Sequence, residues 1–128
     1  MIDIYNMVYS SLCNQLTNVN MSGVLELNPS KFPSVSMEEI SNIVDDTYTD
    51  SASVEKIAII TFEFNIWSNI ATKKTECRNI LKTIDNYLVG LGFNRVMANP
   101  VATSDPTLYR IVARYRARVD NNSTIYRG

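Results

Sequence analysis

The chain contains no histidine in its 128 residues. That absence removes the commonest general base and the commonest metal ligand, and with them any Cys–His nucleophile pair. Only two cysteines occur, Cys13 and Cys77, 64 positions apart. They do not make the disulfide framework of a small secreted domain, and they fit synthesis in a reducing cytoplasm. The four glycines are Gly23, Gly90, Gly92 and Gly128, so no glycine-rich loop is available to cradle a phosphate. Long apolar runs are missing as well. The longest dense one, residues 57–60, is far short of the ~20 residues that span a bilayer. Polar residues interrupt positions 1–16, so no basic-then-apolar export signal is expected.

What is present is globular in composition, with 45% apolar and 20% charged residues. A chain of this length is expected to form one domain, burying roughly 65–70% of its unfolded surface. The net charge of −1 hides a polarity. Residues 1–63 carry nine acids and two bases, giving −7, whereas residues 64–128 carry four acids and ten bases, giving +6. Every arginine lies after Cys77. Such asymmetry fits a nucleic-acid face or two complementary surfaces on one subunit, unless the fold interleaves the halves.

Local patterns place the elements. Ile4, Val8, Leu12 and Leu16 step by four and predict an amphipathic helix over residues 2–17, with Asp3 at its positive end. Residues 23–27 form a candidate short strand before the turn Asn28-Pro29-Ser30. Residues 32–37 alternate after Pro33 and read as an edge strand. Residues 42–53 are polar and acidic, and read as a flexible loop or long hairpin tip. Residues 56–67 give the best central strand, with Ala58, Ile60, Phe62, Phe64 and Ile66 on one face. Both faces are apolar at its start, so a cover is expected on each there. Cys77, Ile80, Leu81, Ile84, Leu88 and Leu91 form the stripe of a second helix over residues 72–89, which the Gly90-Leu91-Gly92 segment ends. A short strand over residues 93–97 and a loop between Asn99-Pro100 and Asp105-Pro106 follow.

Residues 108–119 separate into two faces at period two, as only a β-strand does. Tyr109, Ile111, Ala113, Tyr115, Ala117 and Val119 point to a core. Arg110, Arg114, Arg116 and Arg118 point the other way, with Leu108 and Val112 among them. A turn at Asp120-Asn121-Asn122-Ser123 and a returning strand over residues 124–127 close the chain. The order α-β-β-β-α-β-β-β predicts a single α+β domain over residues 1–128. Its sheet is mostly antiparallel, with both helices packed on one face. The arginine row then lies on the other face, which no element of this chain covers.

Neighbouring guanidinium groups on such a strand stand roughly 6.6 Å apart at Cα. They repel by about 0.6 kcal/mol in water and roughly 2.5 kcal/mol at an effective dielectric near 20. A solvated row is therefore cheap, and a buried row needs acidic partners. Three readings stay open: a solvated face, a contact with acids of a neighbouring subunit, or nucleic-acid contact through the Arg110–Arg118 face. The near-zero net charge disfavours the last. The acids Asp45, Asp46 and Asp50 lack the glycine and terminal glutamate of a calcium loop. No catalytic, cofactor or metal residues are assigned. Neither helix sustains a heptad or has the polarity of a membrane anchor.

Several phrases, in order and spacing, resemble a known group. They are Phe32-Pro33-Ser34-Val35-Ser36, Trp67-Ser68-Asn69, Lys74-Thr75-Glu76-Cys77, Ile84-Asp85, Leu91-Gly92-Phe93-Asn94-Arg95, Pro100, Tyr109-Arg110, Arg114-Tyr115 and Ile125-Tyr126-Arg127. Over nearly its full length the chain resembles the tail-completion or tail-terminator proteins of long-tailed bacteriophages and prophages. The resemblance implies a non-enzymatic virion subunit at the neck, made in the bacterial cytoplasm. It implies a homo-oligomeric ring, commonly a hexamer, that caps the tail tube and joins it to head-side connector proteins. DNA would pass through the lumen without sequence-specific binding. Head-completion and minor capsid neck proteins are the neighbouring alternative. On this reading Arg110, Arg114, Arg116 and Arg118, with Asp45, Asp46 and Asp50, are the expected subunit-interface or lumen residues.

Overall fold

The structure, a computed structural model, describes residues 1–24, 29, 31–44 and 57–126. The elements run α1 (Tyr5–Gln15), β1 (Asn20–Ser22), β2 (Ser34–Val44), β3 (Ile57–Ser68), α2 (Lys73–Leu91), β4 (Asn94–Val101), β5 (Tyr109–Asp120) and β6 (Ile125–Tyr126). This is the order read from the sequence. The strands form one sheet in the order β1-β2-β3-β5-β4, with β6 also beside β5. β1 runs parallel to β2, and the other pairs are antiparallel. β3 and β5 are the long central pair, in unbroken register from Ile57 opposite Asp120 to Ser68 opposite Tyr109.

The core lies between one sheet face and the two helices. Ala58, Ile60, Phe62, Phe64 and Ile66 of β3 face it, alongside Ile111, Ala113, Tyr115, Ala117 and Val119 of β5, and all are buried. Val8 and Leu12 of α1 and Cys77, Ile80, Ile84 and Leu88 of α2 cover them. Aromatic rings tie the layers together. Phe62 stacks on Phe93 with centroids 5.5 Å apart, and Tyr5 of α1 meets its edge at 6.0 Å. Phe64 meets Tyr115 edge-on at 5.9 Å. The Tyr115 hydroxyl donates to Asp85 Oδ1 on α2 at 2.8 Å, and Arg95 of β4 donates to the same oxygen at 3.2 Å. A buried hydroxyl with a charged acceptor satisfies itself inside the core.

Helix ends follow local chemistry. Asp3 accepts the Tyr5 amide at 3.0 Å, so it serves the amino end of α1, which begins later than residue 2. α2 runs through Gly90 and stops at Gly92, whose φ of 114° is left-handed. The Gly92 amide bonds Val89 O and the Phe93 amide bonds Leu88 O, the paired pattern of a Schellman ending.

Several expectations are corrected. The first described strand is Asn20–Ser22, which pairs with the start of β2; of the strand expected over 23–27, Gly23 and Val24 are not in a strand and residues 25–27 lie outside the described residues. β2 extends to Val44, so Asn42 belongs to a strand rather than to the acidic loop, and residues 45–53 lie outside the described residues. β4 runs on through Pro100 to Val101, since an edge strand tolerates a missing amide. The covered end of the arginine-bearing face is not the start of β3. Ile57 and Ile59 there are half-buried, whereas Ser34, Ser36, Asn65, Trp67 and Val112 at the other end are buried. That face is therefore covered in part. Arg127 of the returning strand lies outside the described residues.

Two predictions follow from the helix ending and the core. Gly92→Ala forces a Cβ into the left-handed region and should cost about 1–2 kcal/mol in urea unfolding. Gly90→Ala, in an exposed helical turn with nothing within 4 Å of the new carbon, should instead stabilise by about 0.5–1 kcal/mol. Burial also pushes the Cys77 thiol from 9.0 up to about 12 and raises the Tyr115 phenol. The folded chain then holds protons that the unfolded chain releases. Stability should be full below about pH 9 and fall as pH rises through the folded values. Urea midpoints taken from about pH 8 to about pH 11 should decline, and less so in a Tyr115→Phe variant.

Candidate functional site

The register of β3 against β5 builds the arginine face rung by rung. Opposed residues on antiparallel strands bring their Cβ atoms within about 4.5–5.5 Å, so each arginine meets what β3 places across from it. Arg114 stands opposite Glu63, and its Nε donates to Glu63 Oε2 at 2.8 Å. Glu63 in turn stands opposite Glu38 of β2. Two carboxylates facing each other across a sheet are unfavourable, and Arg114 beside them supplies the counter-charge.

Arg110 stands opposite Trp67 and covers it. Its guanidinium carbon sits 4.9 Å from the ring centroid, and Nε and Nη2 donate to Asn65 Oδ1 at 2.9 and 2.6 Å. Stacking on the indole and a forked bond to one oxygen hold this cation flat on the sheet. Trp67 is buried as a result, and Val112 beside it is buried too. Arg116, opposite Thr61, is exposed, and among the described residues it has no acidic partner. Arg118, opposite Ile59 and Tyr126, is half-buried.

The face therefore has two regions. At one end Arg110 and Arg114 are spent on structure within the chain. At the other, Arg116 and Arg118 lie near Ile43 of β2 and Tyr126 of β6, both exposed. The two halves of the chain meet here, because Glu38 and Glu63 come from the acidic half and the arginines from the basic half. Asp45, Asp46 and Asp50 lie outside the described residues.

The alternation that sets Ala58 to Ile66 on one face leaves Glu63, Asn65 and Trp67 on the other, but it does not connect them to the arginines. The usable signal was there: polar residues at period two on an otherwise apolar strand need polar partners. Elsewhere, Cys77 is a buried free thiol and Cys13 a half-buried one. Among the described residues no cluster of His, Cys, Asp and Glu could hold a metal ion, and no helix is long and apolar enough to cross a membrane.

No protein-family model and no curated relative matches the chain. Among solved structures, its fold is shared by a chain in "Virion of native gene transfer agent (GTA) particle". The TM-score is 0.63 at 18% identity, covering 89% of this chain and 92% of that one. At that identity the likeness is one of fold.

The geometry separates two arginines by experiment. Arg114→Glu sets three carboxylates on one rung and should destabilise by about 1–2 kcal/mol, the lost exposed pair and the new repulsion each being worth up to about 1 kcal/mol. Adding Glu63→Arg should recover most of that. Arg116→Glu should stay within about 0.5 kcal/mol. Urea midpoints of the four proteins check all three statements.

Proposed function

We propose that this chain is a structural, non-enzymatic subunit of a phage-like virion. The observation that carries the reading is the fold shared with a virion chain over nearly the whole of both chains. The arginine face supports it from the chemical side. Its paired members make contacts that hold a surface rigid.

Within that class we place the protein at the neck, as a tail-terminator or tail-completion ring between tail tube and head-side connector. The order and spacing of the phrases from Phe32-Pro33 to Ile125-Tyr126 support this placement. A cyclic ring needs two unlike, complementary patches on each subunit, and the chain is acidic in one half and basic in the other. Arg116, on the less covered part of the face, contacts acids of an adjacent subunit or lines the ring, with Asp45, Asp46 and Asp50 as candidate acids. The rival nucleic-acid reading loses Arg110 and Arg114 to intrachain partners.

Negative-stain images and native mass spectra of the purified protein, alone and mixed with phage tail tubes, test this. Closed rings, seated on one end of the tubes, are expected. Arg116→Glu should lower ring yield severalfold while the monomer stays folded. A chain that neither closes into rings nor caps tubes, but shifts duplex DNA at low salt, would overturn the assignment.

A further inference from the structure

Among the described residues, both outer strands of the sheet have outer sides that no strand pairs. β1 pairs with β2 at Ser34, Val35 and Ser36 alone. Of the eleven residues of β2, three are thus covered, and the remaining eight, residues 37–44, have no strand on their outer side among the described residues. The Met37 carbonyl is taken by the Tyr5 hydroxyl at 2.6 Å and the Asn42 side-chain amide donates to Ile2 O at 2.9 Å, so the described stretch without a neighbouring strand is residues 38–44, held at Asn42 by the N-terminal segment. At the opposite side β4, also eight residues long, has β5 on one side and no described strand on the other.

Sheet edges in monomeric proteins are blunted with lysines, prolines, bulges or charges. Here neither outer segment contains a lysine. Pro100, the charges of Glu38, Glu39 and Arg95, and one bulge in each strand limit indiscriminate pairing, but the bulges carry aliphatic side chains. The extra residue is Ile40 in β2 and Val96 in β4, 45% and 54% exposed. Ile43 and Val44 on one edge and Val101 on the other are exposed as well. Five of the ten exposed large hydrophobics among the described residues therefore lie on these two strands. Solvent gives no reason for that concentration, and a partner strand does.

Charge and direction identify the partner. β2 carries Glu38 and Glu39, a charge of −2, and β3 carries Glu63, −1. β5 carries four arginines and Asp120, +3, and β4 carries Arg95, +1. The sheet thus runs from an acidic edge to a basic one. Each step from β2 to β3 to β5 to β4 reverses direction, so β2 and β4 are antiparallel to each other. If a second sheet continues the first in the same sense, its β4 lies antiparallel to this β2, the more stable form of pairing, with opposite charges facing.

We infer that β2 and β4 are the two halves of one head-to-tail contact, and that the partner each takes is a second copy of this chain. Closure of that contact into a ring rests on the neck-ring reading above. The edge contact itself rests on the strands.

Two exposed substitutions test it, Ile40→Lys to block the β2 edge and Val96→Lys to block the β4 edge. Each variant keeps one working edge. Thermal unfolding should match the wild type, because both side chains are in solvent. By native mass spectrometry each variant alone should lose assembly at least tenfold. A one-to-one mixture should form a species of two chains and nothing larger, since only the intact β4 of one and the intact β2 of the other can join. Wild-type rings together with unimpaired assembly of both variants would overturn the edge contact and leave the ring reading standing. Rings lost in both variants without a two-chain species in the mixture would also overturn it. A wild type that stays monomeric and caps no tubes overturns both.

Discussion

The exposed side of this protein depends on a register set on its buried side. β3 and β5 meet without a break along their whole length, and period two ties each residue to one face. A slip of one residue would either turn Phe62, Phe64 and Ile66 of β3 outward or turn Tyr115 of β5 outward and drive the arginines into the helices. Burying each large side chain is worth roughly 1.5–3 kcal/mol, and stranding a guanidinium in an apolar layer costs several more. Repulsion along the arginine row is small beside those terms. The aromatic core therefore decides that Arg114 meets Glu63 and Arg110 meets Trp67, although none of these four belongs to the core itself.

That register changes what the row means. Four arginines at period two look like a cationic stripe awaiting an anion. Arg114 is instead occupied by a carboxylate, and Arg110 by an amide oxygen and an indole face. The carboxylate is half of a Glu38–Glu63 opposition that would be unfavourable without the arginine. The row is better described as a graded surface. Its occupied end is a packed layer, and its open end combines Arg116 with aliphatic and tyrosyl side chains.

Much of the fold was legible because its signals are local. Alternation along β3 and β5, the four-residue step of α1, the stripe of α2 and the glycine past its end each need only a short window. The failures are non-local or very short. β1 has three residues, too few to show a period, and exists because β2 offers it a parallel edge. β3 neighbours β5 across an intervening helix and strand, and nothing in either strand announces the other. The arginines of the candidate site were therefore readable, and their partners were not. Partners are a property of strand order, which the hydrophobic pattern leaves undetermined.

Strand order also governs what assembly the sheet permits. Two like edges would favour a twofold pair, with the same patch on both subunits. These edges differ in charge, in flanking elements and in the side chains at their bulges, so a two-copy contact between them still leaves one of each unsatisfied. Under the proposed contact such a chain must keep adding copies until curvature brings the last β2 to the first β4. Bulges bend and twist the strands that carry them, and here they sit in the two strands that would join. The number of copies would then be set by backbone bend at Ile40 and Val96, while charge across the joint sets order and direction.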